Sequence, residues 1–419
     1  MEQLKHRIIW LLRSTEKYTK TDMVYLITSN FWMSGHTFIT ATLGFLLSIT
    51  FANLLPKETY GQYQYILSLS SIVGFFCLTG MNNAITRAVA RGHEGSLRTS
   101  VKTQLKWMVL PFCISLIWAL KSFLDGDATV GGGLLVISIA TPTLAAFNTY
   151  NAFLIGKRLF RLNFFYSIGV ALFYYVSIFI GITFLKDALL LATINIVSNT
   201  IATIYFYWKT IRCYPPNNTE EPDTLEYGKK MSLMNVFGGI VGQLDNAFVF
   251  MFLGPAALAV YALASNLPDK IGGFAKNIGS VALPKLSTRN HSEIKSLLWR
   301  KIGLITLASS LVCLAYIFIA PTLFRLVFPK YLDAVIFTQV YSISLIFSAS
   351  YITSAILFSQ KLKKEMYLLN IGLPIFQTIL QIILILLFGL WGMIFAKITS
   401  SALQLTISIF FILKRQNRS

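Results

Sequence analysis

Acidic residues are scarce in this sequence, and charge of either sign is sparse. Asp and Glu number 17 against 36 Lys and Arg, and charged residues make up 13% of the 419. A soluble chain of this length needs more charged surface than that, so a soluble globular protein is excluded. Histidine occurs only four times, and no acids cluster, which leaves nothing from which to build a metal centre or an acid–base pair. The cysteines, Cys77, Cys113, Cys213 and Cys313, show no metal-ligand spacing. Three of them fall in or near apolar runs, where Cys serves as a small apolar filler. No GxxxxGK[ST] run is present, so direct use of ATP through a phosphate loop is excluded. No cofactor is expected. Nor is a cleavable signal peptide: "MEQLKHRIIWLLRSTEKYTKTD" has charges on both sides of a very short apolar core and no small-residue cleavage site.

What is present is apolar. Hydrophobic residues are 55% of the chain and the mean hydropathy is +0.63. Segments between charged clusters run about 18–25 residues, the length a helix needs to cross a bilayer core. Helices are the expected spanning element, because the bilayer leaves no partner for an unpaired backbone. Twelve spans are read, at roughly 28–54, 60–81, 107–124, 132–156, 162–185, 188–208, 231–253, 257–283, 301–321, 333–358, 367–388 and 390–413. The connections between them alternate in charge. One side holds Arg87, Arg91, Arg98, Lys157, Arg158, Arg161, Lys209, Arg212 and the basic residues near both termini; the other holds only Lys57, Lys121, Lys186, Arg325 and Lys330. The positive-inside rule then places both termini in the cytoplasm, in a multi-pass protein of the cytoplasmic membrane. Nucleic acid is excluded as a partner, since most of the net charge of +19 is topological. Two glycosylation patterns, at Asn217 and Asn290, fall on the cytoplasmic side and are read as chance matches.

The chain divides in the middle. "RCYPPNNTEEPDTLEYGKK" is its longest polar connection, and its Pro, Asn and acidic residues mark a linker. The expected organisation is a basic N-terminal segment (1–27), a first lobe of six spans (28–211), a linker (212–230) that lets the lobes move as separate bodies, a second six-span lobe (231–413) and a basic tail (414–419). Local echoes relate the halves. "LPKETYGQYQYILSLS" pairs with "LGPAALAVYALASNL", and "IGKRLFRLNFFYSIG" with "SQKLKKEMYLLNIG". A parallel internal repeat of this kind is a known transporter plan.

"FANLLPKETYGQYQYILSLSSIVGFFCLTGMNNAITRAVARG" resembles the start of the polysaccharide, or O-antigen (Wzx-type), flippases. These belong to the multidrug and oligosaccharidyl-lipid/polysaccharide exporter superfamily. "LDNAFVFMFLGPAALAVYALA", with the later "LPKLS", is similar to that family's second-half entry. The resemblance covers about residues 51–92 and 244–288. It implies an all-α polytopic membrane protein, with about twelve transmembrane helices in two six-helix lobes as a MATE-like V-shaped bundle. It also implies a substrate of sugar chains on a polyprenyl diphosphate, with the lipid bilayer and polysaccharide assembly proteins as partners. Asn53 stands where many relatives place Arg, and Asn246 where a basic residue is common.

The few ionisable residues inside spans are the candidate site. A charge at mid-bilayer costs at least ~2.5–3.5 kcal/mol, so it normally faces a cavity or a partner. They are His36, Asp245, Asp269, Lys270, Lys276 and Lys397. At about 100° per residue, Ser265, Asp269, Gly272, Gly273, Lys276 and Ser280 share one helical stripe, which reads as a cavity wall. Lys270 lies off that stripe and could reach Asp245, and Pro268 is expected to break the helix there. An ion pair of Asp245 with Lys270, fixing packing alone, is the plain alternative. Given the resemblance, Lys270, Lys276, Lys397 and Arg87 are the candidates for meeting a diphosphate. Asn148 and Asn151, beside Tyr150, and Tyr351, beside Ser344 and Ser348, are the candidates for sugars. Asp245, Asp269 and His36 are read as coupling or ion-pair residues.

The function that follows is flipping of polyprenyl-diphosphate-linked oligosaccharide by alternating access, without catalysis. An ion-coupled drug or metabolite antiporter is the alternative, although no carboxylate falls inside the first-half spans. A membrane polymerase or glycosyltransferase is less favoured, because connections such as "LLPKET", "LKDA" and "FGLWG" are too short to hold its chemistry.

Overall fold

A computed structural model of the chain describes residues 23–287, 291–359, 365 and 368–416. The first half contains α1 (Met23–Leu54), α2 (Lys57–Phe75) and its short continuation α3 (Met81–Ala90), then α4 (Ser96–Trp107) leading into α5 (Val109–Leu124). It continues with α6 (Ala128–Phe147) leading into α7 (Thr149–Gly156), then α8 (Phe160–Phe184) and α9 (Ala188–Cys213). The second half contains α10 (Thr224–Leu253), α11 (Pro255–Ser287), α12 (His291–Val327), α13 (Ala334–Tyr341), α14 (Ser350–Ser359) and α15 (Leu373–Gln416). A 3₁₀ stretch, Ser342–Ala349, joins α13 to α14.

Two of the rare acids explain where helices begin. Asp127 accepts from Val130 N at 3.0 Å at the start of α6, and Asp187 from Leu190 N at 2.9 Å at the start of α9. Each satisfies an otherwise orphaned N–H and places negative charge at the positive end of a helix dipole. Large apolar side chains such as Leu124, Phe184, Phe318 and Leu326 point away from the bundle, more than three-quarters exposed, as a lipid-facing surface requires.

Nine stretches among the described residues are long and apolar enough to cross a membrane. The difference from twelve has three physical sources. Leu373–Lys414 is one stretch that reverses at Gly389, whose φ of 58° and ψ of −132° only glycine adopts readily. Gln381 and Lys397, equidistant from Gly389 along the chain, both reach Asp245, so the two arms lie side by side. The other two are α2 and α11, which are too polar to qualify, and both pack between the halves rather than against lipid alone.

That packing is close. A Cβ on Gly61 would sit 1.8 Å from the Pro255 carbonyl oxygen, and one on Gly80 would sit 2.3 Å from Ser232 N. Small residues here let backbones touch, which substitutes for the hydrophobic drive that lipid cannot supply. Between them Tyr65 stacks on Phe250, with ring centroids 3.8 Å apart. The α2–α3 arm is thus joined to the second half along its whole length.

Helix α1 meets the second half differently. At the end of the bundle opposite the linker, Lys57 pairs with Asp333 at 2.7 Å, Lys330 donates to the Asn53 carbonyl at 2.6 Å, and Asn53 Nδ2 donates to the Val327 carbonyl at 2.9 Å. Deeper in, Asn266 donates to Ser48 Oγ at 3.1 Å and Lys270 to the Ala41 carbonyl at 3.2 Å. These bonds run from the middle of α1 to the far end, so the halves are zipped there.

The connection between the halves is shorter than expected, because α9 runs to Cys213 and α10 begins at Thr224. It is also strapped to the first half rather than loose. Gly95 N donates to the Thr219 carbonyl at 2.9 Å. Asn217 Oδ1 accepts from Glu94 N and Gly95 N while its Nδ2 donates to the Gly92 carbonyl. Glu221 pairs with Arg91 at 2.6 Å, and Thr99 donates to Glu220.

Candidate functional site

The first half encloses a polar hollow. One chamber of about 510 Å³ lies towards the far end, among α1, α2, α6, α8 and α9. A second of about 510 Å³ lies towards the linker end and takes in His36, Asn151, Asn163 and Ser167. The chambers share Leu144, Asn148, Tyr174 and Asn199. On α9, Asn195, Asn199 and Thr203 are spaced by four and so present one face. Among the described residues the lining contains no Asp, Glu, Lys or Arg.

Part of this polar surface is satisfied internally. Asn195 Nδ2 donates to Tyr63 OH at 2.6 Å, Gln64 to Tyr60 OH at 2.9 Å, Asn151 Nδ2 to Asn148 Oδ1 at 2.5 Å and Ser167 to Asn151 Oδ1 at 3.0 Å. Tyr175 donates to the Thr40 carbonyl at 3.3 Å. The rest is not. Asn163 Oδ1 is buried without a partner, and the Asn199 amide has none among the described residues. Asn148, Asn151 and His36 all line this hollow.

Lys270 approaches the same hollow from the second half. Its ammonium donates to the Ala41 carbonyl at 3.2 Å and lies 5.7 Å from the Phe45 ring centroid. It is 3.8 Å from where a Cβ on Gly44 would stand, and Gly44 lines the far chamber. The Asp245–Lys270 pair does not form: Lys270 leaves α11 towards α1, whereas Asp245 faces the second half's interior. Among the described residues Lys270 meets no carboxylate. A neutral carbonyl and a ring face engage it, and an ammonium has three donors.

Asp245 instead accepts from Lys397 at 2.6 Å, Gln381 at 2.7 Å and Tyr261 at 3.3 Å. Asp269 accepts from Tyr341 at 2.8 Å. Asp269, Lys397 and Tyr351, with Ser344 and Ser348, border a small hollow of about 80 Å³. Two carboxylates face one ammonium here, so this group does not attract an anion, and Lys397 is corrected from phosphate candidate to internal counter-ion. Tyr351 sits beside it, away from the large hollow. The expected break at Pro268 is absent as well: α11 continues through it. Of the predicted stripe, Asp269 and Gly272 line the small hollow, while the side chains of Lys276 and Ser280 lie outside the described residues.

Arg87 is exposed at the linker end, 3.8 Å from Glu221 and with its guanidinium 5.0 Å from the Tyr227 ring centroid. It serves the strap, not the hollow.

Residues 26–288, more than half of the chain, match the family of polysaccharide biosynthesis proteins. The chain belongs to that family. It is similar to an uncharacterized membrane protein of Methanocaldococcus jannaschii, 22% identical over 94% of this chain and 97% of that one. Among solved structures it is similar to an inward-facing multidrug resistance MATE family transporter of the MOP superfamily. That pair is 14% identical over 91% of this chain and 96% of the other, with a TM-score of 0.67. It is likewise similar to lipid II flippase MurJ in an inward closed conformation, 15% identical over 90% of this chain and 87% of that one, with a TM-score of 0.68. At such identities the likeness is one of fold, and it is the two-lobed helical bundle that the resemblance in sequence implied.

For this family member, the sequence reading missed Asn195, Asn199, Tyr63 and Tyr175. The "NIVSNTIAT" run carried the signal, with two amides and Thr203 at a helical spacing of four. Uncharged residues raise no alarm in an apolar span, so a search for buried charge passes over them.

Proposed function

We propose that this membrane protein carries polyprenyl-diphosphate-linked oligosaccharide from the cytoplasmic to the outer leaflet, by alternating access, for assembly of a surface polysaccharide. Its linker end, where the basic connections gather, is read as cytoplasmic. One observation carries the proposal: Lys270, which meets no carboxylate among the described residues, stands beside Gly44 in the wall of a large hollow whose described lining holds no Lys, Arg, Asp or Glu. A diphosphate leaving water needs such a partner, and a hydroxyl-rich head needs amides and aromatic rings. The polyprenyl tail stays in lipid while the head passes between the lobes.

The zipper from Lys57–Asp333 to Lys270–Ala41 closes the far side in the present arrangement. Outward release requires those bonds to open while the cytoplasmic side closes. A drug antiporter fits less well, because among the described residues no carboxylate lines the first-half hollow to receive an organic cation. No step of bond chemistry is assigned, and the protein is read as a carrier rather than an enzyme.

The test is K270A expressed in place of the native protein. The variant accumulates in the membrane, and lipid-linked glycan builds up on the cytoplasmic leaflet. Normal surface polymer from K270A contradicts the proposal.

A further inference from the structure

The first-half hollow bears on which sugars are carried. We infer that it is a subsite for an uncharged sugar at the head of the substrate, selecting neutral or N-acetylated sugars against acidic ones. This deepens the flippase reading and rests on it.

Its size is right. Each chamber, at about 510 Å³, falls inside the roughly 300–1,000 Å³ typical of small-molecule sites. Its chemistry is specific. Asn148, Asn163, Asn195 and Asn199 bring both amide donors and amide acceptors to one space, the combination that vicinal hydroxyls, each donor and acceptor, can satisfy. Tyr174, half-buried and bordering both chambers, adds ring surface, which suits the apolar face of a pyranose.

The unspent groups point the same way. Asn199 borders both chambers and has no partner among the described residues, and Asn163 Oδ1 is buried and unbonded. A buried polar atom without a partner, such as Asn163 Oδ1, is destabilising unless a ligand or water bonds it, while the half-buried Asn199 amide is open to the hollow. Acidic sugars meet the opposite situation. Among the described residues the lining holds no Lys or Arg and its one ionisable basic group is His36, so a uronate carboxylate would enter without a permanent counter-ion, an expensive transfer. Among the described residues the nearby ammonium is that of Lys270, which this reading reserves for the diphosphate.

The experiment uses the full chain in lipid nanodiscs and three probes: bare polyprenyl diphosphate, the same lipid carrying N-acetylglucosamine, and the same lipid carrying glucuronic acid. Dissociation constants are measured by displacement of a fluorescent polyprenyl diphosphate. The native protein should bind the N-acetylglucosamine lipid about tenfold more tightly than bare lipid, and the glucuronate lipid no more tightly than bare lipid. N199A should erase the gain, so that bare and neutral-sugar lipids bind alike. N199S, which leaves a smaller hydrogen-bonding group, serves as the second variant and should retain part of the gain. Three results overturn the inference while leaving the flippase reading intact: bare lipid binds but the neutral sugar adds nothing, glucuronate adds as much, or the gain survives in N199A. If bare polyprenyl diphosphate does not bind at all, the flippase reading itself fails and the subsite goes with it.

Discussion

Lys397 Nζ lies 2.6 Å from a carboxylate oxygen of Asp245, tying the second arm of α15 to α10. Asp245 is 5% exposed, so removing its cation leaves a buried, half-compensated charge. Breaking such a pair from one side costs about 3–5 kcal/mol, whereas replacing both partners can be nearly neutral. K397M should therefore lower the thermal unfolding midpoint in detergent by more than about 5 °C. D245N/K397M should recover most of the loss and still transport. A double variant that is stable but inactive would show that the pair acts on the substrate or a coupling ion.

The strap between the halves makes a second prediction. Asn217 holds Gly92, Glu94 and Gly95 through one side chain, and Glu221 holds Arg91. The exposed ion pair contributes at most about 1 kcal/mol, so the amide should matter more. N217A should raise the rate of protease cleavage within 214–223 by about tenfold, and E221Q by much less. Equal cleavage in N217A and native protein would mean that the linker is held by other contacts.

A third prediction concerns the far-end zipper. With the exposed Cys113 and Cys213 replaced by Ala, K57C/D333C can be joined by a short reducible bifunctional reagent. The Lys57–Asp333 contact measures 2.7 Å, so the cross-link should form readily and should stop transport until it is reduced. Unimpeded transport by the cross-linked protein would remove rocking at this end from the mechanism.

Much of the fold was legible because the constraints behind it are strong. Span length and the alternation of basic connections follow from bilayer thickness and membrane potential, and both act on composition. Pairing was less legible. A helical wheel places Lys270 relative to its own helix, but not which neighbour stands opposite it, and it is the Ala41 carbonyl of α1, not Asp245, that Lys270 meets. Lys397 was visible as a buried charge, while its partner lay across a reversal at Gly389 that hydropathy alone does not orient. The strap read as a loose linker, since its Pro, Asn and acidic residues are those of a turn; its docking depends on backbone groups that composition does not record. Asn195 and Asn199 escaped notice because neutral amides in an apolar helix resemble ordinary helix contacts.

The central claim is that the Lys270 ammonium receives the phosphate end of a glycolipid. Its most direct test is the flipping rate of a polyprenyl-diphosphate-linked sugar in vesicles reconstituted with native protein or K270A, matched for amount and orientation. The account predicts that K270A flips at least tenfold more slowly, a loss of roughly 1.4 kcal/mol or more of stabilisation, and that K270R retains part of the native rate. Equal rates for K270A and native protein would contradict it.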